Sequence, residues 1–588
     1  MALFTPSQSP AVVVKEIDAT GGVPNVQTST GAIVGNFRWG PVGQRVLISN
    51  EADLIDQFST PDTTSTIDFH NASYFLRYSN SLQVVRQATS AAKNAHSLTY
   101  KTAGRGPGAV GYAVQAINNK NIFDANTSLD SDGHTFVGRF PGALGNGLRV
   151  SLCPASSSAF SAWDYASAFD GAPGSSILDS NAGGTGTELH VAVIDNNGEF
   201  TGTKGTVLEA YPYVSAATNS VLADGSTNFV KNVVNERSKY IYMVNFDSDY
   251  TIANAGTAMT PGTQKTYISG LTTPVHYDFD SGANSAALGA SEIASGHDLF
   301  EDEEAVEVDF LIAPGMGSRA DQTTVTNDLV ANAIARKDCI AVSSPARTDV
   351  VNVTNEATAT TNIVATAATF TKSSYLVMDG NYIKVYDKFN DQFIQIPAAS
   401  SVAGLMAETD RVAAPWFSPA GTRRGQLLGV TAIDYNPNKT RRDTLYKAGV
   451  NPVVNVAGSG VVLFGDKTLF NRPSAFDRIN VRRLFLVLER AISQAAKNVM
   501  FEFNDEFTRA EFVNVIEPVL RDVKARRGIT DFRIIADETV NTPAVVDRNE
   551  FIANIFIKPA RSINYVTLNF VAVRTGVDFT EIVGTAGV

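Results

Sequence analysis

The chain has 588 residues, of which 44% are hydrophobic, with two cysteines, six histidines and a formal net charge of −12. That length corresponds to about three to five domains at roughly 150 residues each, with enough apolar material to bury several cores. Cys153 and Cys339 are too few and too far apart for a disulfide scaffold or a cysteine-rich zinc site and suit a reducing compartment, and the acidic balance argues against a general nucleic-acid binder.

No run of about 18 apolar residues predicts a membrane-crossing helix. Met1 to Pro10 shows no basic segment followed by an apolar one, so no secretory leader is expected. Charge is uneven along the chain. Residues 402–588 hold 24 Lys and Arg against 20 Asp and Glu, whereas the remainder carries a net charge of −16. Two readings fit: chance domain composition, or a last third that faces an acidic partner while the acidic remainder faces solvent, with arginine favoured there because its planar fork pairs carboxylates bidentately at interfaces.

In chain order, Val12, Val13, Val14, Glu16 and Ile17 form a short β-prone run with no hairpin partner beside it, closed by Gly21-Gly22-Val23-Pro24. Ala32-Ile33-Val34-Gly35 reads as a buried strand, Glu51 to Phe58 and Asn71 to Arg77 as helices, and Leu82 to Arg86 as a strand. Residues 100–300 are rich in Ser, Thr, Ala, Gly and Asn and read as β-rich insertions outside a denser core. Within them, Leu189 to Ile194, the turn Asp195-Asn196-Asn197-Gly198 and a strand opening at Glu199-Phe200 predict a hairpin.

Val306 to Ile312, a helix carrying Val325, Leu329, Ala333 and Ile334, and Cys339 to Val342 predict an α/β unit. Val481, Leu484, Leu488, Ala491, Ile492, Ala495 and Val499 define the apolar stripe of a helix. A second helix is expected from Thr508, capped with Glu511, with Phe512, Val515, Ile516, Val519 and Val523 inward, a kink at Pro518, and Gly528 as its stop. Arg521, Lys524, Arg526 and Arg527 gather at its C-terminal end, where the helix dipole favours cations. Strands are expected at Phe532 to Ala536, Phe551 to Ile557 and Ile563 to Val573, the last including Tyr565, Val566, Leu568, Phe570 and Val573.

Candidate chemistry is sparse. Gly106-Pro107-Gly108-Ala109-Val110-Gly111 matches a dinucleotide fingerprint but lacks the strand before and the helix after, and reads as a link. Asp130-Ser131-Asp132-Gly133 and Asp278 to Gly282 resemble calcium-loop fragments without the twelfth-position glutamate. Glu301-Asp302-Glu303-Glu304 reads as a solvated acidic loop. Glu408 and Asp410, beside Arg411, read as a surface loop rather than a catalytic pair, since no nucleophile or histidine accompanies them. No enzymatic activity, metal or cofactor is expected.

Several segments together resemble the tail sheath proteins of contractile-tailed bacteriophages, of the large myophage type. They are Pro10 to Asp18; Ala32-Ile33-Val34-Gly35 through Gly40-Pro41-Val42; and Pro141-Gly142-Ala143-Leu144-Gly145-Asn146-Gly147-Leu148. Val193-Ile194-Asp195 through Glu209, Asp224-Gly225 and Asn235 to Ser238 continue the likeness. So do Val402-Ala403-Gly404, Thr409-Asp410, Ala414-Pro415-Trp416, Pro419-Ala420-Gly421, Asn480-Val481-Arg482-Arg483-Leu484 and Asn541 to Asp547.

The resemblance recasts Asp410 as structural. It implies an α+β multidomain chain: an α/β core, a C-terminal two-layer sheath domain, β-rich inserted outer domains and extended terminal arms. The expected divisions are an arm at 1–25, a discontinuous inner domain at 26–98 and 400–575, an outer insertion at 99–188, a middle α/β domain at 189–399 and an extension at 576–588. It further implies hexameric rings of this chain stacked around a tail tube, with baseplate and terminator proteins as further partners and no direct contact with nucleic acid or insertion into a membrane. The terminal strands would add to neighbouring subunits' sheets, and the four basic residues would face the tube or a neighbour. The expected location is the virion tail, after assembly in the host cytoplasm. A related contractile injection machine, such as an R-type bacteriocin or secretion system, is the alternative; a multidomain hydrolase is disfavoured by the want of any histidine-containing constellation.

Overall fold

A computed structural model of the chain describes residues 29–98, 116–125, 134–155, 157–174, 188–216, 220–244 and 273–562. It divides into two compact units, residues 1–501 and 502–588.

The first unit opens with β1 (Gly31–Gly35), every residue of which is buried, and the edge strand β2 (Arg45–Ile48). Helix α1 (Glu51–Phe58) starts where the Asn50 side chain accepts the Asp53 N–H, a standard N-cap. Helix α2 (Thr66–Leu76) and strand β3 (Leu82–Arg86) follow. The chain then leaves the inner sheet for a β-rich insertion. Its strands are β4 (Asn94–Leu98), β5 (His134–Pro141), β6 (Leu148–Pro154), β7 (Glu188–Asp195) and β8 (Thr206–Ser215), then helix α3 (Val230–Arg237), β9 (Ile241–Met243) and β10 (Val275–Asp278). They form a three-stranded sheet, β4-β5-β9, and a four-stranded antiparallel sheet, β10-β6-β7-β8.

The chain returns through α4 (Ala290–His297) to β11 (Phe310–Ile312), α5 (Arg319–Arg336), β12 (Ile340–Ser343), α6 (Glu356–Thr369) and β13 (Leu376–Met378). The result is a six-stranded sheet ordered β13-β12-β11-β1-β3-β2, parallel except for β2. Ala32 stands opposite Leu311 and Ile33 opposite Val84. Helices cover both faces, which is why β1, β11, β12 and β13 read as continuous apolar runs rather than alternating ones. Ile33 points into one core with α2, and Ala32 and Val34 into the other with α5 and α6. This sheet joins residues 31–86 to residues 310–378, stretches that the sequence reading assigns to separate domains. The four-stranded outer sheet likewise runs from 148 to 278, across the expected division at 188/189.

A hairpin, β14 (Tyr382–Asp387) and β15 (Gln392–Pro397), leads into α7 (Ala399–Val412), then β16 (Ala432–Ile433), α8 (Lys439–Lys447), a second hairpin of β17 (Val453–Val456) and β18 (Gly460–Leu463), and the long α9 (Ile479–Lys497). Gly404 lets α7 lie directly on Tyr78: a Cβ there would sit 2.4 Å from the Tyr78 ring. The small residues of Val402-Ala403-Gly404 thus have a packing reason.

The second unit contains α10 (Glu506–Ala525) and the antiparallel pair β19 (Ile529–Ile535) and β20 (Asn554–Pro559). Asn541 ties its loop together, accepting the Ile552 N–H at 2.8 Å and donating to the carbonyls of Ala536 and Ile552.

Several local expectations are corrected. Ile334 is 42% exposed; Val330 takes its place in the buried stripe of α5. Residues 199–200 do not open a strand. The Asp195 carboxylate accepts four backbone N–H groups, from Gly198 to Thr201, and the Thr201 hydroxyl, organising a longer loop before β8. The cap of α10 is Asp505, which accepts the Thr508 N–H, because an aspartate one turn earlier outcompetes Thr508 for the free amides. Leu520 joins Phe512, Ile516 and Val523 on its buried side, while Val515 and Val519 are half-buried, and the helix runs through Pro518. The left-handed residue that stops it is Arg527, at φ +67°, not Gly528.

Candidate functional site

Sequence reading leaves Asp410 as the residue with the clearest structural demand, and the fold shows what satisfies it. Glu408 and Asp410 lie on α7, not in a loop. Glu408 turns outward and pairs with Arg411. Asp410 turns inward to Arg483 of α9; their side chains are 8% and 4% exposed. One guanidinium nitrogen donates to Asp410 Oδ1 at 2.5 Å and to the Met406 carbonyl at 2.8 Å, and the other closes on Oδ2. The guanidinium also lies 5.0 Å from the Phe310 ring centroid.

Two more arginines extend this seam. Arg482 is sandwiched 4.2 Å from both Tyr375 and Phe476 and donates to Ser374 Oγ at 2.8 Å. Burial pulls its guanidinium below the usual arginine range. Arg490, two turns on, pairs with Asp309 at 2.8 Å and donates to the Asp338 carbonyl at 2.9 Å. Asp309 also accepts the Thr30 N–H at 2.9 Å, so one carboxylate joins the approach to β1, the approach to β11 and helix α9. Its carboxyl is pushed up to about 6, burial outweighing Arg490 and the Thr30 amide. These groups clamp helices to the sheet; none is a nucleophile beside a base.

A fourth internal arginine is Arg86, on β3. It is buried without a carboxylate and donates to the carbonyls of Gly40 at 2.7 Å and Pro141 at 2.5 Å. Burial alone pulls its pKa down to about 9. It fastens the first outer strands to the inner sheet, beside Trp39, which packs into the insertion's core. Sequence reading missed both this role and that of Arg490. For Arg490 the available signal was charge: residues 402–501 hold 14 Lys and Arg against 7 Asp and Glu, whereas 502–588 hold 10 against 13. The basic excess of the last third therefore lies in the first unit, and part of it is Arg482, Arg483 and Arg490.

The four basic candidates of the second unit are exposed and close together around the end of α10. Arg521 pairs with Glu517 at 2.8 Å, Lys524 with Asp531 at 3.0 Å and Arg526 with Asp522 at 3.7 Å. These three thus each have a carboxylate neighbour within their own unit, which sequence spacing did not reveal for the Lys524 pair. The arm positions Val12, Val13, Val14, Glu16 and Ile17, and Tyr565, Val566, Leu568, Phe570 and Val573, lie outside the described residues, as do the extension at 576–588, the Gly106 to Gly111 segment and Asp130 to Gly133. Asp278 is held by Arg149 at 2.6 Å. Among the described residues no cluster of three or more His, Cys, Asp or Glu side chains is placed to hold a metal, and no helix is long and apolar enough to cross a membrane.

Comparison with known proteins agrees with the resemblance. A phage tail sheath central-domain model matches residues 286–469, and a phage tail sheath C-terminal-domain model matches 471–572. The chain is 32% identical to the tail sheath protein of Enterobacteria phage T4 over 98% of this chain and 99% of that one. It is 31% identical to the tail sheath protein of Vibrio phage KVP40, again over 98% and 99%. A crystal structure of a sheath tail protein from Listeria innocua shares the fold at a TM-score of 0.53 and 11% identity, covering 91% of this chain and 93% of that one. With such identity over nearly the whole length of both relatives, this chain belongs to the tail sheath family of contractile phages and is a structural component of the virion.

Proposed function

We propose that the chain polymerises as stacked hexameric rings around a tail tube, and that rearrangement of those rings into a shorter, wider array drives the tube through the host envelope. The observation that carries this reading is the full-length likeness to phage tail sheath proteins. The fold supports it: the inner sheet, clamped by Arg483 and Arg490, and the outer sheets, keyed by Arg86, are built to move as rigid bodies. No nucleotide is required, because the work comes from exchanging subunit contacts between a metastable and a stable lattice.

The terminal stretches supply the links between subunits, strand to sheet edge. In the second unit, β19 and β20 form a sheet of only two strands among the described residues, a poor structure alone and a ready template for added strands. Arg521, Lys524, Arg526 and Arg527 face the tube or a neighbouring subunit. Assembly takes place in the host cytoplasm, with baseplate and terminator proteins fixing the two ends.

Deleting residues 1–18 tests the linking arms. The expected result is a folded chain that stays unpolymerised, seen by sedimentation and circular dichroism; tubes from the truncated chain would contradict it. Reversing Arg521 and Lys524 to glutamate tests the basic face, with loss of assembly on purified tubes at moderate salt expected and normal sheaths contradicting.

A further inference from the structure

The first unit carries two exposed charge surfaces of opposite sign. The basic one is built around α8. Its helix contributes Lys439, Arg442 and Lys447, and the loop after α7 contributes Arg423 and Arg424. Two contacts make this one surface: Gly421 N–H donates to the Leu463 carbonyl at 2.9 Å, and Arg442 lies 5.4 Å from the ring centroid of the neighbouring Phe464, which is 48% exposed.

None of these five cations has a carboxylate ion-pair partner among the described residues. Of the carboxylates nearby, Asp466 and Asp477 are taken by Arg478 and Asp434 is half-buried near Arg347 and Lys384, which leaves Asp443, exposed on α8 four positions from both Lys439 and Lys447, as the one carboxylate among the five cations. Arg424 stands below the usual arginine range, first from burial and then from Arg423 beside it. Five like charges against the single carboxylate of Asp443, around an exposed aromatic ring, are the makings of an interface core rather than a solvated face.

The acidic surface is the approach to β11. Asp298, Glu301, Asp302, Glu303, Glu304 and Glu307 are all exposed, with no basic residue from 298 to 307 and no ion pair among the described residues. Their crowding is felt by Asp328 on α5, held above the usual carboxylate range by burial and then by Asp298 and Glu301. The two surfaces lie on different parts of the unit. The acidic loop precedes the central strand β11, whereas α8 packs against α6, to which Arg441 is tied through Glu356, beyond the edge strand β13.

We propose that the basic surface of one copy receives the acidic 298–307 loop of a second copy. Charge complementarity within a single sequence selects this occupant. Because the two surfaces differ, the contact is head-to-tail, the kind that closes into rings or continues as helices rather than ending at a dimer. The inference rests on the proposed polymerisation and adds the surfaces that set its direction.

The test uses two full-length variants built only at exposed positions. One carries Arg423→Glu, Lys439→Glu and Lys447→Glu; the other carries Glu301→Lys, Glu303→Lys and Glu304→Lys. Each is expected to keep the wild-type thermal transition and to raise the concentration needed for tube formation at low salt by at least about tenfold. An equimolar mixture, in which every contact is again complementary, and a single chain carrying all six changes, which restores the wild-type net charge, are expected to form tubes near the wild-type concentration. Tubes from either triple variant alone at the wild-type concentration, or failure of both the mixture and the six-fold variant, would overturn the contact. A wild-type chain that forms no tubes at any concentration would instead overturn the polymerisation reading on which it rests.

Discussion

Arg483 of α9 closes both arms of its guanidinium on Asp410 of α7, 73 positions earlier in the chain and equally hidden from solvent. The pair joins two helices that cover the inner sheet, and the third contact, to the Met406 carbonyl, leaves little freedom in the arginine fork. Breaking a buried pair costs more than the pair contributes, because a charge is left without a partner. Arg483→Ala is expected to destabilise the first unit by about 3–5 kcal/mol. Asp410→Asn should cost less, since the amide oxygen still accepts. Chemical denaturation of the two single variants and the double variant reads the coupling; independent effects would contradict the pairing.

Gly404→Ala sets two effects against each other. Alanine favours a helix by about 1 kcal/mol over glycine. Its Cβ would meet Tyr78, whose hydroxyl accepts the Leu428 N–H and cannot withdraw cheaply. Overpacking of this kind costs about 1–3 kcal/mol, so a net loss of roughly 1 kcal/mol is expected in thermal denaturation.

Arg527 tests the opposite case. A left-handed backbone costs a side-chain-bearing residue about 1–2 kcal/mol and costs glycine almost nothing. Arg527→Gly is therefore expected to slow amide exchange in α10 and β19 by the equivalent of about 0.5–1 kcal/mol. Faster exchange would show that the arginine side chain matters more than its backbone.

Asp379 makes stability depend on pH. It is fully buried at the end of β13, accepting the Ser344 hydroxyl at 2.7 Å and the Asn381 N–H at 3.0 Å, and burial pushes its carboxyl up to about 7. The folded chain thus holds this proton more tightly than the unfolded one. Its stabilising contribution is complete below about pH 4 and is lost as pH rises through 7. Asp379→Asn is expected to flatten stability between pH 4 and 7 and to raise it at pH 8. An unchanged slope would contradict the assignment.

The inner α/β unit was legible because its signals are local. Glu51–Phe58 and Leu82–Arg86 appear within the predicted bounds, and the stripe Val481, Leu484, Leu488, Ala491 is buried as expected. The cap of α10 and the Asp195 loop were misread because several nearby aspartates and threonines compete for the same amides, and only the folded backbone chooses among them. Domain membership was harder still. The pairing of β1 with β11 spans some 280 residues of chain, and nothing in either strand's own sequence names its partner. The arginine clamps were hidden for a related reason: nothing beside Arg483 and Arg490 in the chain names Asp410 and Asp309 as their partners.

Negative-stain electron microscopy of the purified full chain over a concentration series tests the sheath reading most directly. Hollow, regularly striated tubes above a threshold concentration, or on addition of purified tail tubes, are the expected result. Small uniform particles at every concentration, unchanged by added tail tubes, would contradict it.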